Sequence, residues 1–233
     1  MEDARQFPYR LKSVRVSLPT RMKSLISEIK KLRKSSVGKK VVKRLKEFES
    51  FRNKDTKEWF SELCFCILTA NSRAVTALKI QEKLTSKGFC EYSHGLIRET
   101  IKKNKHRFHN TKAAYIISAR EHINIKDKIK KIIKQKNESE AREWLVKNIK
   151  GLGYKEASHF LRNVGYKNLA ILDRHILSLM KENGFLKQMP KTLTRKNYLS
   201  IEKIFKKIAE TVNMSCSELD LYMWYMKTGE VLK

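Results

Sequence analysis

The residue types best suited to chemistry gather in one stretch, Trp144 to Met180. Lys155 stands two positions beyond the turn Lys150-Gly151-Leu152-Gly153, in what reads as the first turn of a helix. Asp173 follows 18 residues later, at the end of the apolar run Leu169-Ala170-Ile171-Leu172. A lysine is a nucleophile only as the free amine. The N–H groups of a helix start disfavour a positive charge beside them, and Lys150 and Arg174 are candidate cations acting in the same direction. Asp173 has the position of an N-cap before Arg174-His175-Ile176-Leu177. A capped carboxylate is ionised and held still, which suits it to stabilise a cation developing in a transition state.

These residues need elements to place them. A helix is expected over about Ser139–Ile149, then the tight turn, then a second helix over about Tyr154–Asn163. Two glycines two apart permit positive φ and close approach of a phosphate, and the N–H groups opening the next helix would point at it. That arrangement is a helix-hairpin-helix element, which grips a nucleic-acid backbone without reading bases. Lys150, Gly151 and Gly153 are the expected backbone contacts.

The run G-L-G-Y-K-E-A-S-H-F-L-R-N-V-G with the following L-D-R-H resembles the helix-hairpin-helix superfamily of DNA glycosylases. More narrowly, it is similar to the archaeal-type 8-oxoguanine DNA glycosylase/AP lyases, and the likeness extends from about Leu25 to Lys233. The resemblance implies that Lys155 is the nucleophile and Asp173 the essential carboxylate. The amine would attack C1′ of the damaged nucleotide, expel the base and leave a Schiff base, and β-elimination of the 3′ phosphate would nick the strand. It also implies an all-α fold of two helical lobes, with the hairpin and its Asp lining a cleft.

The same resemblance offers Asn71 to fill the gap left by an extruded base, the plainer reading being that Asn71 or Ser72 caps the next helix. It offers Trp224 and Lys233 as walls of the base pocket, although an aromatic stripe such as Tyr222, Trp224 and Tyr225 is ordinarily core. His159 falls one turn beyond Lys155 on the same face; it could touch the extruded base, and a structural histidine is the plainer alternative. The implied partner is double-stranded DNA containing oxidised guanine, bound by a monomer in a prokaryotic cytoplasm, at the nucleoid.

Composition narrows the classes. Lys+Arg number 52 against 24 Asp+Glu, a formal +28, which describes a polyanion-binding surface. No apolar run approaches the ~18 residues of a membrane span, and no signal peptide is evident, so nucleic acid is favoured over an anionic membrane. Four cysteines, Cys64, Cys66, Cys90 and Cys216, have neither zinc nor disulfide spacing. Some relatives in the superfamily carry a four-cysteine iron–sulfur cluster near the C-terminus; that cysteine group is lacking, and no metal or cofactor is expected. A reducing compartment fits this usage.

Periodicity gives helices almost throughout. Residues 1–20 read as an extended arm, and 21–233 as one glycosylase domain, with the hairpin at about 139–164 and the Asp helix from 173. Met22, Leu25, Ile26, Ile29 and Leu32 form one stripe, and Val41, Val42, Leu45 and Phe48 another, separated by a stop and restart at Ser35–Gly38. Trp59 to Leu68 is apolar nearly all round and so central. Three other readings stay open: a non-enzymatic hairpin module, a monofunctional glycosylase for alkylated bases, and a bifunctional glycosylase for another damaged base. The first two leave Lys155 without a use.

Overall fold

The computed structural model describes residues 20–233, which contain twelve α-helices, one 3-10 turn and no strand. The expected arm, residues 1–20, lies outside the described residues except for Thr20, which opens α1 (Thr20–Arg33). The chain divides into two compact units, Lys46–Leu169 and Met1–Leu45 with Ala170–Lys233. The passage from the second to the first falls within α2 (Ser36–Phe51). That helix restarts directly at Ser36, because Ser35 Oγ accepts from the Val37 N–H at 3.1 Å. Val42, expected on the buried stripe, is instead 48% exposed.

The unit Lys46–Leu169 is built around α3 (Thr56–Thr69), every residue of which from Trp59 to Thr69 is buried. Its start is fixed by Asp55, whose carboxylate accepts from the Glu58 N–H at 2.9 Å. Around it stand α4 (Ala74–Glu91), α5 (His94–Lys103), α6 (His109–Ala119), the 3-10 turn Arg120–His122, α7 (Ile125–Gln135), α8 (Glu138–Asn148) and α9 (Tyr154–Asn163). Each buried Phe, Leu or Ile of α3 is worth about 1.5–3 kcal/mol. A carboxylate of α3 lies inside this apolar packing. Glu62 accepts from Asn163 Nδ2 at 2.6 Å and from Gln81 Nε2 at 3.3 Å, which joins α3 to α9 and α4. A buried carboxylate without such donors would be strongly destabilising. The helix expected over Ala74–Leu84 continues to Glu91 past a break at Thr85 (φ 56°, ψ −179°), because Gly88 and Phe89 carry the buried stripe onward.

The other unit contains α1 with α10 (Arg174–Glu182), α11 (Arg195–Thr211) and α12 (Cys216–Thr228). Thr194 caps α11 and Ser215 caps α12, each by a side-chain oxygen accepting a backbone N–H. Gly229 (φ 75°) closes α12 in the left-handed conformation that glycine adopts without strain. Lys227 Nζ lies 2.6 Å and 2.8 Å from the two Glu182 carboxylate oxygens, fastening α12 to α10.

Candidate active site

The hairpin is built from the chain upward. After α8 ends, Gly151 turns with φ 86°. A Cβ there would also come 2.4 Å from Tyr115 Cδ2, so both conformation and space demand glycine. Gly153 is different. Its φ of −93° and ψ of −175° are open to any residue, so of the two glycines only Gly151 uses the positive φ that the pair permits. Gly153 is the N-cap of α9 yet has no side chain to cap with. Glu156 does the work instead, accepting from the Gly153 N–H through Oε2 at 3.3 Å.

Lys155 follows in the first turn of α9, with its side chain 23% exposed and its Nζ 3.7 Å from Glu156 Oε1. Helix α9 is seated on α8 by Tyr154, whose hydroxyl donates to Glu143 at 2.6 Å, and by Arg142, which donates to Ser158 Oγ at 3.2 Å. His159 is buried, its ring edge-on to Phe65 at 5.7 Å between centroids. Lys150 is exposed at the turn.

A second lysine enters the same neighbourhood. Lys112 of α6 is only 5% exposed, and its Nζ donates to the Ile67 carbonyl at 2.7 Å. Burial pushes its pKa from 10.5 down to about 8; the Glu156 carboxylate opposes that shift and the Lys155 ammonium adds to it. Beside it, His106 Nδ1 accepts from the Phe108 N–H at 3.2 Å, which leaves Nε2 to donate to the Leu68 carbonyl at 3.0 Å. The imidazole is therefore neutral, and burial pushes its pKa down. Lys112 and His106 together satisfy two of the last carbonyls of α3. Directly after them, Asn71 is exposed and left-handed (φ 58°). The N-cap of α4 is Arg73, without a side-chain cap bond, so neither Asn71 nor Ser72 caps that helix.

Asp173 is the N-cap of α10, as expected. Its Oδ1 accepts from both the His175 and Ile176 N–H groups at 2.9 Å, so Oδ2 is outside the cap. The extended residues before it are held by α11: Tyr198 Oη donates to the Ala170 carbonyl at 2.7 Å and accepts from the Leu172 N–H at 3.3 Å. Glu202 accepts from the Ala170 N–H at 3.0 Å. His175 anchors the helix by packing edge-on against Trp224, 5.1 Å between centroids. Trp224 and Lys233 are both half-exposed.

Of the expected site residues, Asn71, Lys150, Gly151, Gly153, Lys155 and His159 share the unit Lys46–Leu169, while Asp173, Trp224 and Lys233 belong to the other. Lys112, Tyr115, Glu156, Tyr198 and Glu202 were not anticipated. Lys112 carries a weak signal, a lysine opening the apolar run Ala113-Ala114-Tyr115-Ile116-Ile117. Among the described residues, no group of three or more His, Cys, Asp and Glu is gathered as if to hold a metal ion. None of their helices is long and apolar enough to cross a membrane.

An all-helical chain with a capped glycine turn, a lysine in the next first turn and a capping aspartate defines the helix-hairpin-helix class. Residues 41–214 match the family described as 8-oxoguanine DNA glycosylase. An 8-oxoguanine DNA glycosylase/AP lyase of Methanocaldococcus jannaschii is 51% identical over 209 residues, covering 90% of this chain and 99% of that one. The crystal structure of the M. jannaschii enzyme in complex with a 15mer DNA containing 8-oxoguanine superposes with a TM-score of 0.87 at 50% identity, covering 90% of this chain and 100% of that one. The 8-oxoguanine DNA glycosylase of Thermotoga maritima gives 0.84 at 36% identity, covering 91% and 100%. The chain belongs to the 8-oxoguanine DNA glycosylase family.

Proposed function

We propose that this protein is a bifunctional base-excision enzyme, removing 8-oxoguanine from duplex DNA and cleaving the resulting abasic site. The observation that carries the reading is the family match over residues 41–214, which spans both Lys155 and Asp173. The Lys155 amine attacks C1′ as the C1′–N9 bond breaks, and the base leaves with that electron pair. Ring opening gives the Schiff base, loss of a C2′ proton drives the C3′–O bond to break, and the 3′ phosphate departs. Asp173 stabilises the cationic sugar while remaining the cap of α10. Gly151, Gly153 and Lys150 grip the phosphates, with the net +28 supplying long-range attraction. Asn71, exposed and not spent on a cap, fills the vacated stack. Trp224 and Lys233 contribute to the base pocket, and His159 supports it from the core.

The test is borohydride trapping on duplexes carrying different lesions. The wild type should form a covalent adduct on the 8-oxoguanine duplex, and Lys155→Gln should form none while still binding it. An adduct with Lys155→Gln would assign the nucleophile to another amine. Trapping only on a different lesion would overturn the substrate.

A further inference from the structure

His175 is engaged twice, once through its backbone and once through its ring. Its N–H is one of the two that Asp173 Oδ1 accepts, at 2.9 Å. Its imidazole stands edge-on to the Trp224 indole, 5.1 Å between centroids and 83° between planes. Trp224 belongs to α12, which the Lys227–Glu182 ion pair fastens to α10. That pair sets where the helix lies and leaves the indole free to turn about its own side-chain bonds. A hydrogen bond would stop such turning, yet Trp224 Nε1 is buried without an acceptor among the described residues. A buried indole N–H ordinarily finds a partner. Ring packing therefore holds the indole plane, and the His175 edge is the part of it mounted directly on the Asp173 cap.

We infer that His175 is a positioning residue for base excision: its ring fixes the plane of Trp224 while its N–H holds Asp173, so the wall of the base pocket and the carboxylate keep one register. This rests on Trp224 walling the pocket and Asp173 acting on the sugar, as proposed above. A base extruded into a pocket is held against flat side chains, and the glycosidic bond must then reach the carboxylate with little error in position. Two groups mounted separately would each add their own error. One residue gripping both removes that freedom. The arrangement separates two reactions. Excision of 8-oxoguanine needs the base held in place, whereas cleavage of a ready-made abasic site has no base to hold. The backbone N–H that serves Asp173 survives any side-chain change at position 175.

The experiment measures single-turnover excision of 8-oxoguanine, and borohydride trapping on a ready-made abasic duplex, for wild type, His175→Ala, His175→Gln and His175→Phe. Ala and Gln remove the ring, and both should slow excision roughly tenfold. Trapping on the abasic duplex should stay at the wild-type rate. Phe returns a ring edge to the indole and should recover most of the lost excision. A double-mutant cycle tests the route: in a Trp224→Ala background, His175→Ala should add no further loss, because its effect passes through the indole. Additive losses, equal loss on the two substrates, or a His175→Phe variant as slow as His175→Gln would each overturn the inference. Should neither ringless variant fold, His175→Leu, which fills the space without a ring, takes their place. Normal excision by Trp224→Ala itself would instead overturn the pocket reading beneath it.

Discussion

Around Lys155, the turn, the cap and the ion pair come from residues a few positions apart: Gly151 turns the chain, Glu156 caps Gly153, and the same Glu156 pairs with Lys155. Around Asp173 only the cap is local. The extended Ala170–Leu172 approach has its N–H and carbonyl groups met by Tyr198 and Glu202, some thirty positions later on α11. Of the two side chains proposed to be catalytic, one is thus set by a short-range device and the other by a long-range clamp. The hairpin's turn is set locally, over α8 and Tyr115, while its second helix also rests on α3 through Asn163 and His159. The Asp segment is right only once α11 is in place.

The sharpest way to break the comparison is to remove charge from Asp173 and leave its geometry. In Asp173→Asn the side-chain oxygen still accepts from His175 and Ile176, so the loss of stability should be well below the ~1 kcal/mol of a missing cap. Excision of 8-oxoguanine should nevertheless fall on the order of a hundredfold or more. Normal excision with a lowered Tm would reduce Asp173 to a cap.

The glycines test the local side. Gly151→Ala forces a Cβ onto Tyr115 at a positive φ and should destabilise by roughly 1–3 kcal/mol. Gly153→Ala meets only the Glu156 carboxylate, 3.2 Å away at the end of a flexible side chain, at an ordinary φ. Its cost should stay below about 1 kcal/mol. Thermal melts of the two variants, with salt-dependent binding to undamaged duplex, measure both effects. Equal losses in Tm would mean that the turn does not distinguish its two glycines.

That pair also marks how far sequence alone reached. The G-x-G turn, both hairpin helices and the Asp173 cap were legible because each is written in adjacent residues: small residues for the turn, Asp before a helical stripe, apolar spacing at three and four. The pattern permits positive φ at both glycines and cannot tell a turn residue from an N-cap; only Gly151 uses it. The clamp from Tyr198 was not legible at all, and Lys112 showed only as a lysine opening an apolar run, with nothing to name Ile67 as its partner. Both bonds join positions tens of residues apart, which local sequence does not pair. Asn71 was ambiguous for the opposite reason, since Asn and Ser suit a cap anywhere, and here Arg73 holds that position.

The long-range side is probed by Tyr198→Phe, which keeps the ring and deletes the hydroxyl that serves Ala170 and Leu172. Two buried backbone groups lose a partner, so stability should fall by about 1–3 kcal/mol. Excision should fall with it even though the variant touches no DNA. The proposed clamp would be refuted by a variant of lowered Tm whose excision rate, measured well below that Tm, matches wild type.

The smallest effect concerns pH, and it separates the units. His106 is neutral, accepting from Phe108 and donating to Leu68 at the end of α3. Burial, with smaller contributions from Lys112 and His109, holds its pKa below the ordinary 6.5. The sign follows from linkage: the unfolded chain takes up the proton first, so the contribution to stability is complete above about pH 6.5 and is lost as pH falls toward the depressed folded value. Carboxylates paired in the fold, such as Glu49 and Glu182, lose their contributions at still lower pH, since their pKa values lie below the usual 4.5. Between about pH 7 and 5, therefore, the difference in Tm between wild type and His106→Gln should shrink, because the variant has no proton to take up. Hydrogen exchange locates the effect: once the intrinsic pH dependence of exchange is divided out, acid should lower protection at the last turn of α3, beside Asn71, before it does so in α10 and α12. A uniform loss of protection in both units, or a constant gap in Tm, would show that this buried histidine does not set the acid limit of the hairpin's unit.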